Sequence, residues 1–432
     1  MRILVATWGN PERWQEVNYY FLTDSEDNYS KSKTTYVPIF EIEKPDRGII
    51  IVQNSLFVEY NVFDENLLKE KIFQKLKEFG ANENIINNTE VIVTISSGKY
   101  KKGNNFFSFR ASFYDILLNI FIQLYPKVKD AKEVILDLTH GINYLPTATF
   151  LALSYLKKIY NFRIRIYNST PIDMKENILD SFILKLGESQ IEGKLEISLE
   201  ELNNIFKNLK MNHDKSGISA EVIKKAYMIL VSYKYGLIFP LVYYTRNFQI
   251  NSNYILDLFI PRQVMKDNSY VVNKSNEISV SSEEIFKFIF SILFAENIAK
   301  KFKKISTNIT SDRIILDLNS IKNIYNDIAD EVAKKLIENE LSALEFIYQK
   351  KDEIFENRDE ILYKDADRKA REKFENEYNR RSSNESRNFF AHVSLLQNYI
   401  YLKRNEILEY KFNSEIKGKI KKFIREIKKV EL

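Results

Sequence analysis

Residues 134–159 read VILDLTHGINYLPTATFLALSYLKKI and set the fold class of the N-terminal part of the chain. The apolar run at 134–138 predicts a buried strand, and residues 145–159 predict an apolar helix. Pro146 is compatible with the first turn of that helix, where a backbone N–H has no partner. A buried strand that passes through a short polar loop into a helix is typical of an α/β domain with a mainly parallel sheet.

The same alternation of strands and helices extends over residues 1–185, which are therefore predicted to form a Rossmann-like α/β domain. Further strands are predicted at 3–7, 36–42, 48–54, 91–95 and 162–167. Further helices are predicted at 67–79 and 113–125.

Three loops that follow predicted strands are rich in glycine and small polar residues. Ligands of open α/β sheets bind outside the carboxyl ends of the strands, and helix starts at this edge offer N–H groups that suit phosphate. The alternative is that the glycines only permit tight turns. The candidate ligand-binding residues are Thr7, Trp8, Gly9, Asn10, Trp14, Ser96, Ser97, Gly98, Thr139, His140, Gly141 and Asn143.

The class of ligand is narrowed by two missing motifs. No GxGxxG follows the first strand and no GxxxxGK[ST] occurs in the chain, so neither a dinucleotide cofactor nor an ordinary nucleoside triphosphate is expected. Trp8 and Trp14, the only tryptophans, flank the first loop. They could stack on a base or serve as core anchors.

The rest of the chain has mostly helical spacing. Residues 186–215 read as a connector, and residues 216–432 are predicted to be all-α, with a loop or insertion around 245–282. Residues 382–400, SSNESRNFFAHVSLLQNYI, predict a helix that begins at a capping box formed by Ser382 and Glu385.

That helix carries three side chains suited to a phosphodiester, Arg387, Asn388 and His392. An arginine can bind phosphate oxygens with both arms of its guanidinium, and a histidine can move a proton near neutral pH. The alternative is that His392, at the edge of an apolar stripe, is a packed or capping residue.

Composition excludes several kinds of site. The 432 residues include no cysteine, so disulfides, thiolate nucleophiles and cysteine-held metals are excluded. With three histidines and no HExxH, a histidine-rich metal site is not expected, whereas a carboxylate-held Mg²⁺ stays open.

The first apolar run is interrupted too early for a signal peptide, and no apolar run approaches the ~20 residues of a membrane span. We expect a cytoplasmic protein without membrane partners, and the net charge of +5 permits a nucleic-acid partner.

Three stretches carry a resemblance to a known family. RNFFAH at 387–392 resembles the Arg-(four to six residues)-His motif of HEPN ribonucleases. DLTHGIN at 137–143 resembles the ligand loop of CARF domains. TWGNP at 7–11 is similar to the start of the CARF–HEPN ribonucleases of type III CRISPR systems, the Csx-one family, whose domain order also matches.

This resemblance implies a CARF domain at 1–185 and a HEPN domain at 216–432. CARF domains of the family dimerise and bind a cyclic oligoadenylate, most often cyclic tetra-adenylate, as an allosteric activator. HEPN domains pair, so that Arg387 and His392 of both subunits form one site. The implied partners are single-stranded RNA and a second copy of the chain, with a higher oligomer left open, and no cofactor is implied.

The family's chemistry assigns a role to each residue of the motif. RNA is cleaved without metal by attack of its own 2′-OH on the adjacent phosphate. His392 would transfer a proton, Arg387 would stabilise the developing charge, and Asn388 would hold the phosphate or the histidine. Arg387 and His392 lie ~140° apart on an ideal helix, which is awkward for a site within one subunit and is eased by a site shared across a two-fold axis.

Three other functions stay open at this point. The first is a CARF-type regulator that binds ligand and cleaves nothing. The second is a metal-dependent DNase, since Asp367-Arg368-Lys369 formally fits a DxK motif, although that chemistry needs its carboxylates on paired strands and this run looks helical. The third is an α/β scaffold without catalysis.

Overall fold

The computed structural model divides into two compact units, Met1–Lys194 with Ile255–Phe286, and Leu195–Tyr254 with Lys287–Leu432. The division after Lys194 falls inside the predicted connector, residues 186–215. The structure describes residues 1–21, 29–141, 144–175, 178–189, 191, 193–209, 217–266, 269–273, 280–303, 308–310, 313–327, 331–374, 377, 400–411, 418, 420, 427 and 430–432.

The first unit is built on a mainly parallel sheet, which confirms the predicted α/β class. Its strand order is β3-β2-β11-β9-β8-β1-β4-β5, with β10 paired to β11. The five strands β9, β8, β1, β4 and β5 are parallel to one another, whereas β11 pairs with β9 in antiparallel orientation. The first eleven strands of the chain are β1 (Arg2–Trp8), β2 (Val17–Phe21), β3 (Tyr29–Ser32), β4 (Arg47–Gln53), β5 (Thr89–Thr94), β6 (Ser97–Lys102), β7 (Asn105–Arg110), β8 (Glu133–Asp137), β9 (Arg163–Ser169), β10 (Asp173–Lys175) and β11 (Ile178–Glu188).

Helices cover both faces of this sheet. Helices α1 and α3 pack against Leu4, Ala6 and Trp8 of β1, whereas α5 and α6 contact β5, β1 and β9 through other core residues. Two-sided burial explains why the strands read as continuous apolar runs. The helices are α1 (Tyr36–Glu43), α2 (Leu56–Tyr60), α3 (Glu65–Glu78), α4 (Glu83–Asn87), α5 (Phe113–Leu124) and α6 (Tyr144–Tyr160).

One element of this unit differs from its prediction, because residues 36–42 form helix α1 and not a strand. Its first five residues, Tyr36 to Phe40, are all buried, and its two charged residues, Glu41 and Glu43, come only at its end, so no polar face reveals a helical period. Pro38 lies in its first turn, where proline is tolerated. Lys44 ends the helix in a left-handed conformation with φ of 47°.

The second unit contains most of the remaining helices. They are α7 (Leu199–Asn208), α8 (Ala220–Lys234), α9 (Ile238–Thr245), α10 (Ser252–Phe259), α11 (Ser282–Phe302), α12 (Leu318–Asp327), α13 (Glu331–Gln349), α14 (Lys351–Phe355) and α15 (Tyr363–Lys373). Helices α10 and α11 each cross the division between the units along the chain. None of the helices just described combines the length and the apolar composition that crossing a bilayer requires.

The predicted helical character of the C-terminal region is confirmed, but the description all-α needs correction. An antiparallel five-stranded sheet has the order β15-β16-β19-β18-β17, and β12 pairs with β20. These strands have two to five residues, and β16 runs directly into α12, so helical spacing hides them. They are β12 (Glu196–Ile197), β15 (Asn308–Ile309), β16 (Arg313–Asp317), β17 (Glu360–Leu362), β18 (Ile400–Lys403), β19 (Ile407–Lys411) and β20 (Val430–Glu431).

Residues 245–282, expected to be a loop or insertion, contain regular structure. Helix α10 is followed by the hairpin of β13 (Arg262–Lys266) and β14 (Ser269–Asn273). Strand β14 pairs with β7, which completes a four-stranded sheet of order β13-β14-β7-β6. Residues 255–286 thus belong to the first unit, although the chain on either side of them belongs to the second.

Candidate functional site

The candidate site lies at the carboxyl edge of the first unit's sheet. Strands β8, β1, β4 and β5 are neighbours in this order and run in the same direction, so the loops that follow them meet at one edge. These loops include the three that the sequence singled out. An edge of this kind is where open α/β sheets bind ligands.

A hydrogen-bonded cluster joins the loops after β1 and β8. The Thr7 hydroxyl donates to the His140 carbonyl oxygen at 2.7 Å. The buried carboxylate of Asp137 accepts from the Thr35 hydroxyl at 2.6 Å and from the Thr139 backbone N–H at 3.0 Å. A buried carboxylate with several donors holds its surroundings firmly, so the 139–141 loop is fixed relative to β1.

His140 is held between an aromatic ring and a backbone donor. Its ring stacks on Trp14 with centroids 4.2 Å apart, and its Nε2 accepts from the Thr35 backbone N–H at 3.3 Å. Burial lowers the pKa of His140 below its usual value, and the charge of Asp137 opposes this shift without reversing it. Because Nε2 accepts a hydrogen bond only when unprotonated, the geometry and the pKa both indicate a neutral imidazole at pH 7.

The depressed pKa makes the stability of this unit depend on pH. The unfolded chain takes up the His140 proton near pH 6.5, before the folded protein does. The stability contribution is therefore complete above pH 6.5 and is lost as the pH falls below it, by up to about 1.4 kcal/mol per pH unit. Urea unfolding at pH 7.5 and 5.5 measures this loss, and we expect His140→Gln to reduce it. Equal losses in the two proteins would contradict the assignment.

On the other side of β1, a cavity of about 390 Å³ opens beside β4 and the hairpin of β6 and β7. Its lining includes three cationic residues, Arg13, Lys99 and Lys101, and a single acidic one, Glu59. An excess of cations in a concave site favours a polyanionic ligand. The full lining is Trp8, Gly9, Asn10, Arg13, Gln53, Ser55, Leu56, Val58, Glu59, Lys99, Tyr100 and Lys101.

Most of the predicted residues lie either in the wall of this cavity or in the hydrogen-bonded cluster described above. Trp8, Gly9 and Asn10 line the cavity, whereas Thr7, Trp14, Thr139, His140 and Gly141 belong to the adjoining cluster around β8. The two places are in contact, because a Cβ on Gly9 would lie 3.6 Å from the Gly141 Cα. The side chain of Asn10 accepts from the Glu12 N–H at 3.1 Å and caps a short 3-10 helix, Pro11–Arg13.

The loop after β5 is held mainly through its backbone. Ser96 is fully buried, and its hydroxyl accepts from the Ser55 N–H at 3.0 Å. The Tyr144 hydroxyl bonds both the N–H of Ser97, at 3.2 Å, and its carbonyl, at 3.0 Å. Gly98 has φ of 123° and starts the hairpin. Ser96 to Gly98 thus position Lys99 and Lys101.

Sequence reasoning missed the cationic residues on this hairpin. A signal was present, because two runs of strand-forming residues are separated by exactly two residues, Gly103 and Asn104, which is typical of a tight hairpin turn. The mixture of basic and aromatic residues in the runs KYKK and NFFSFR is also typical of nucleic-acid contacts.

Two buried polar atoms of the predicted ligand-binding residues have no hydrogen-bond partner among the described residues. They are the indole Nε1 of Trp8 and the hydroxyl of Thr139. Buried donors are rarely left unpaired in native proteins. Both atoms belong to predicted ligand loops, so a bound polar ligand or water is the expected partner.

Several predicted residues lie outside the described residues, namely Arg387, Asn388, His392 and Asn143. The Asp367–Lys369 run lies on helix α15, with Asp367 paired to Arg371 at 3.1 Å. The DxK arrangement on paired strands is therefore not formed there. Among the residues with assigned positions, no group of three or more His, Asp or Glu side chains could hold a metal ion.

Comparisons with known proteins point to one family. Residues 3–171 match the family model described as CRISPR system endoribonuclease Csx1, CARF domain. The CRISPR system endoribonuclease Csx1 of Methanocaldococcus jannaschii is 24% identical over 376 residues, which cover 79% of this chain and 75% of that protein. The resemblance to the Csx-one family is thereby confirmed.

One solved structure was also similar over most of both chains. Enterococcus italicus Csm6, bound to cyclic hexa-2′-fluoro-hexa-dAMP, has 12% identity and a TM-score of 0.26, and 99% of each chain is covered. A TM-score this low carries no argument about fold or ligand.

Proposed function

Because the chain resembles the Csx1-type CRISPR endoribonucleases over most of its length, we propose that it is a ribonuclease switched on by a cyclic oligoadenylate. The observation that carries the ligand half of the proposal is the cavity at the carboxyl edge of a matched CARF domain, with three cationic side chains in its wall. Cyclic tetra-adenylate is the activator that the family resemblance favours. It supplies phosphates for the cations and bases for the aromatic residues.

The side chains around the cavity fit both parts of such a ligand. Arg13, Lys99 and Lys101 can form charge-assisted hydrogen bonds with phosphate oxygens. Tyr100 and Trp8 border the same space, and the unpaired indole N–H of Trp8 can donate to a base or a phosphate. The ligand would therefore lie between the hairpin of β6 and β7 and the loop after β1.

The two lysines give a direct test of ligand binding. We expect Lys99→Gln with Lys101→Gln to weaken cyclic tetra-adenylate binding by about tenfold per lysine, the value of one charge-assisted hydrogen bond. The variant should also show a shallower dependence of affinity on salt. Isothermal titration calorimetry at two salt concentrations measures both quantities.

Lys102→Gln is the matched control, since Lys102 lies on the same strand and donates to the Glu59 carbonyl at 2.8 Å. Its removal changes the net charge of the hairpin without removing a residue of the cavity wall. An equal loss of affinity in this control would mean that the hairpin attracts anions in general and that Lys99 and Lys101 do not contact the ligand.

For the chemistry, we propose the Arg387, Asn388 and His392 motif at a site shared by two subunits of a homodimer. The 2′-oxygen of the RNA forms a bond to phosphorus as the bond to the 5′-oxygen breaks. His392 transfers a proton in this step, and Arg387 stabilises the negative charge that gathers on the phosphate. Asn388 holds the phosphate or the histidine.

The products of the reaction test this chemistry. Attack by the 2′-OH leaves a 2′,3′-cyclic phosphate on one fragment and a 5′-hydroxyl on the other, and both can be read by mass spectrometry. An RNA with one 2′-deoxy nucleotide at the cleaved bond should stay intact at that bond. Cleavage there would rule out the 2′-OH as nucleophile. A protein that binds the ligand and leaves every RNA intact would be a regulator without nuclease activity.

A further inference from the structure

Residues 255–286 form an insertion that reaches the candidate ligand site from an unexpected part of the chain. The insertion packs with the first unit, yet Tyr254 before it and Lys287 after it belong to the second. It enters through α10 and leaves through α11, and both helices cross the division between the units. The insertion is therefore joined to residues of the second unit by continuous helix backbone at both of its ends.

One side chain of the insertion holds the edge of the ligand site. The Gln263 amide nitrogen donates to the Ser96 carbonyl at 2.8 Å, and its oxygen accepts from the Ser96 N–H at 3.0 Å. The same oxygen accepts from the Asn54 side chain at 3.0 Å. Ser96 and Asn54 follow β5 and β4, so Gln263 joins the carboxyl ends of two neighbouring strands.

The residues that Gln263 holds lead directly into the cavity wall. Ser96 is followed, across Ser97 and Gly98, by Lys99 and Lys101, which line the cavity. The returning strand β7 is bonded to β14 of the insertion, and Tyr270 stacks on Phe109 with centroids 4.3 Å apart and planes within 2°. The insertion is thus attached to the lysine hairpin through strand β7 and through Ser96, which precedes β6.

Two buried contacts fix the ends of the insertion on the first unit. Near its start, the Asn119 side chain donates to the Pro261 carbonyl at 2.8 Å. Near its end, the Ser282 hydroxyl bonds the Asp115 carboxylate at the start of α5. Both contacts are made to α5, so the ends of the insertion follow this helix, which also contacts β5.

We propose that Gln263 is a positioning residue that couples occupancy of the cavity to the second unit. A ligand that draws Lys99 and Lys101 inward moves the loop at Ser96 and, through the Gln263 amide, strand β13 and helix α10. The inference rests on the proposed function, because the occupant is the cyclic oligoadenylate.

The test is Gln263→Met, which keeps the length of the side chain and removes its amide. Cyclic tetra-adenylate is titrated into the full-length protein, and binding is measured by calorimetry and activation by RNA cleavage. We expect binding within about threefold of the wild type, and a ligand-stimulated rate relative to the ligand-free rate that is about tenfold lower, within the usual range of allosteric coupling. Met265→Gln on the same strand, where the side chain is 53% exposed, should behave as the wild type.

A second readout separates this inference from the ribonuclease proposal. In hydrogen–deuterium exchange, the ligand should change the protection of residues 245–254, which lead into α10 from the second unit, in the wild type and in Met265→Gln. It should not change their protection in Gln263→Met. These differences in protection are expected even if the protein cleaves no RNA. A lack of cleavage would contradict the proposed ribonuclease activity and would leave the coupling role of Gln263 intact. Equal ligand responses in Gln263→Met and the wild type, or no response in any of them, would overturn the coupling role.

Discussion

Replacing His392 with alanine is expected to lower ligand-stimulated RNA cleavage by about a thousandfold while ligand affinity stays unchanged. Proton transfer by a positioned side chain contributes roughly 10²- to 10⁴-fold to a rate, and RNFFAH at 387–392 contains no other group that titrates near neutral pH. The rate of cleavage of a fluorescent single-stranded RNA and the calorimetric affinity for cyclic tetra-adenylate give the two quantities on the same protein.

Two further variants sharpen this prediction. Arg387→Ala should reduce the rate by about 10²- to 10³-fold, since it removes charge stabilisation of the transition state. His213→Ala removes another of the three histidines and should leave the rate unchanged. A His392→Ala protein with full activity would show that the histidine only packs, and the site would then have to be sought elsewhere in the chain.

The second large loss of ligand affinity is expected when Gly141 is replaced by valine. The new side chain would be forced between Thr7 of β1 and Pro146 of α6, at the carboxyl edge of the sheet. Gly141 has φ of 153°, and a Cβ there would lie 3.0 Å from the Thr7 hydroxyl and 3.1 Å from Pro146 Cγ. Overpacking of this size costs about 1–3 kcal/mol. If the loop shifts to relieve it, Gly141→Val should weaken cyclic tetra-adenylate binding by about tenfold to a hundredfold.

Gly187→Val separates this effect from backbone strain. Gly187 also has a positive φ, 98°, but a Cβ there meets nothing within 4 Å. Both variants thus carry a valine at a positive φ, and only Gly141→Val has a close neighbour. The affinity loss should appear in Gly141→Val alone, with melting temperatures recorded for both. Equal affinities in the two variants would show that the 139–141 loop does not take part in ligand binding.

The α/β class was predictable because the sheet is buried on both faces, which gives strands such as β1 and β8 uninterrupted apolar runs. The same principle fails for short buried elements. The first five residues of helix α1 are buried on every side, and its eight residues are too few to reveal a period. The strands of the C-terminal sheet are similarly concealed between longer helices.

The candidate site was predictable only where its residues lie at the carboxyl end of a strand or shortly after it. Thr7, Trp8 and His140 were found in this way, because the carboxyl ends of parallel strands meet at one edge. Gln263 could not be found, since it lies 167 residues from Ser96 and no local pattern records such a contact. Lys99 and Lys101 were missed but could have been predicted, because the Gly103-Asn104 turn indicates the hairpin on which they lie.

The central claim, a ribonuclease controlled by a cyclic nucleotide, is tested most directly by one cleavage assay. Purified protein is incubated with fluorescent single-stranded RNA in excess EDTA, with and without cyclic tetra-adenylate. We predict cleavage that requires the ligand and persists in EDTA. Cleavage that EDTA abolishes would indicate a metal-dependent nuclease, and RNA left intact by a protein that has bound the ligand would contradict the claim.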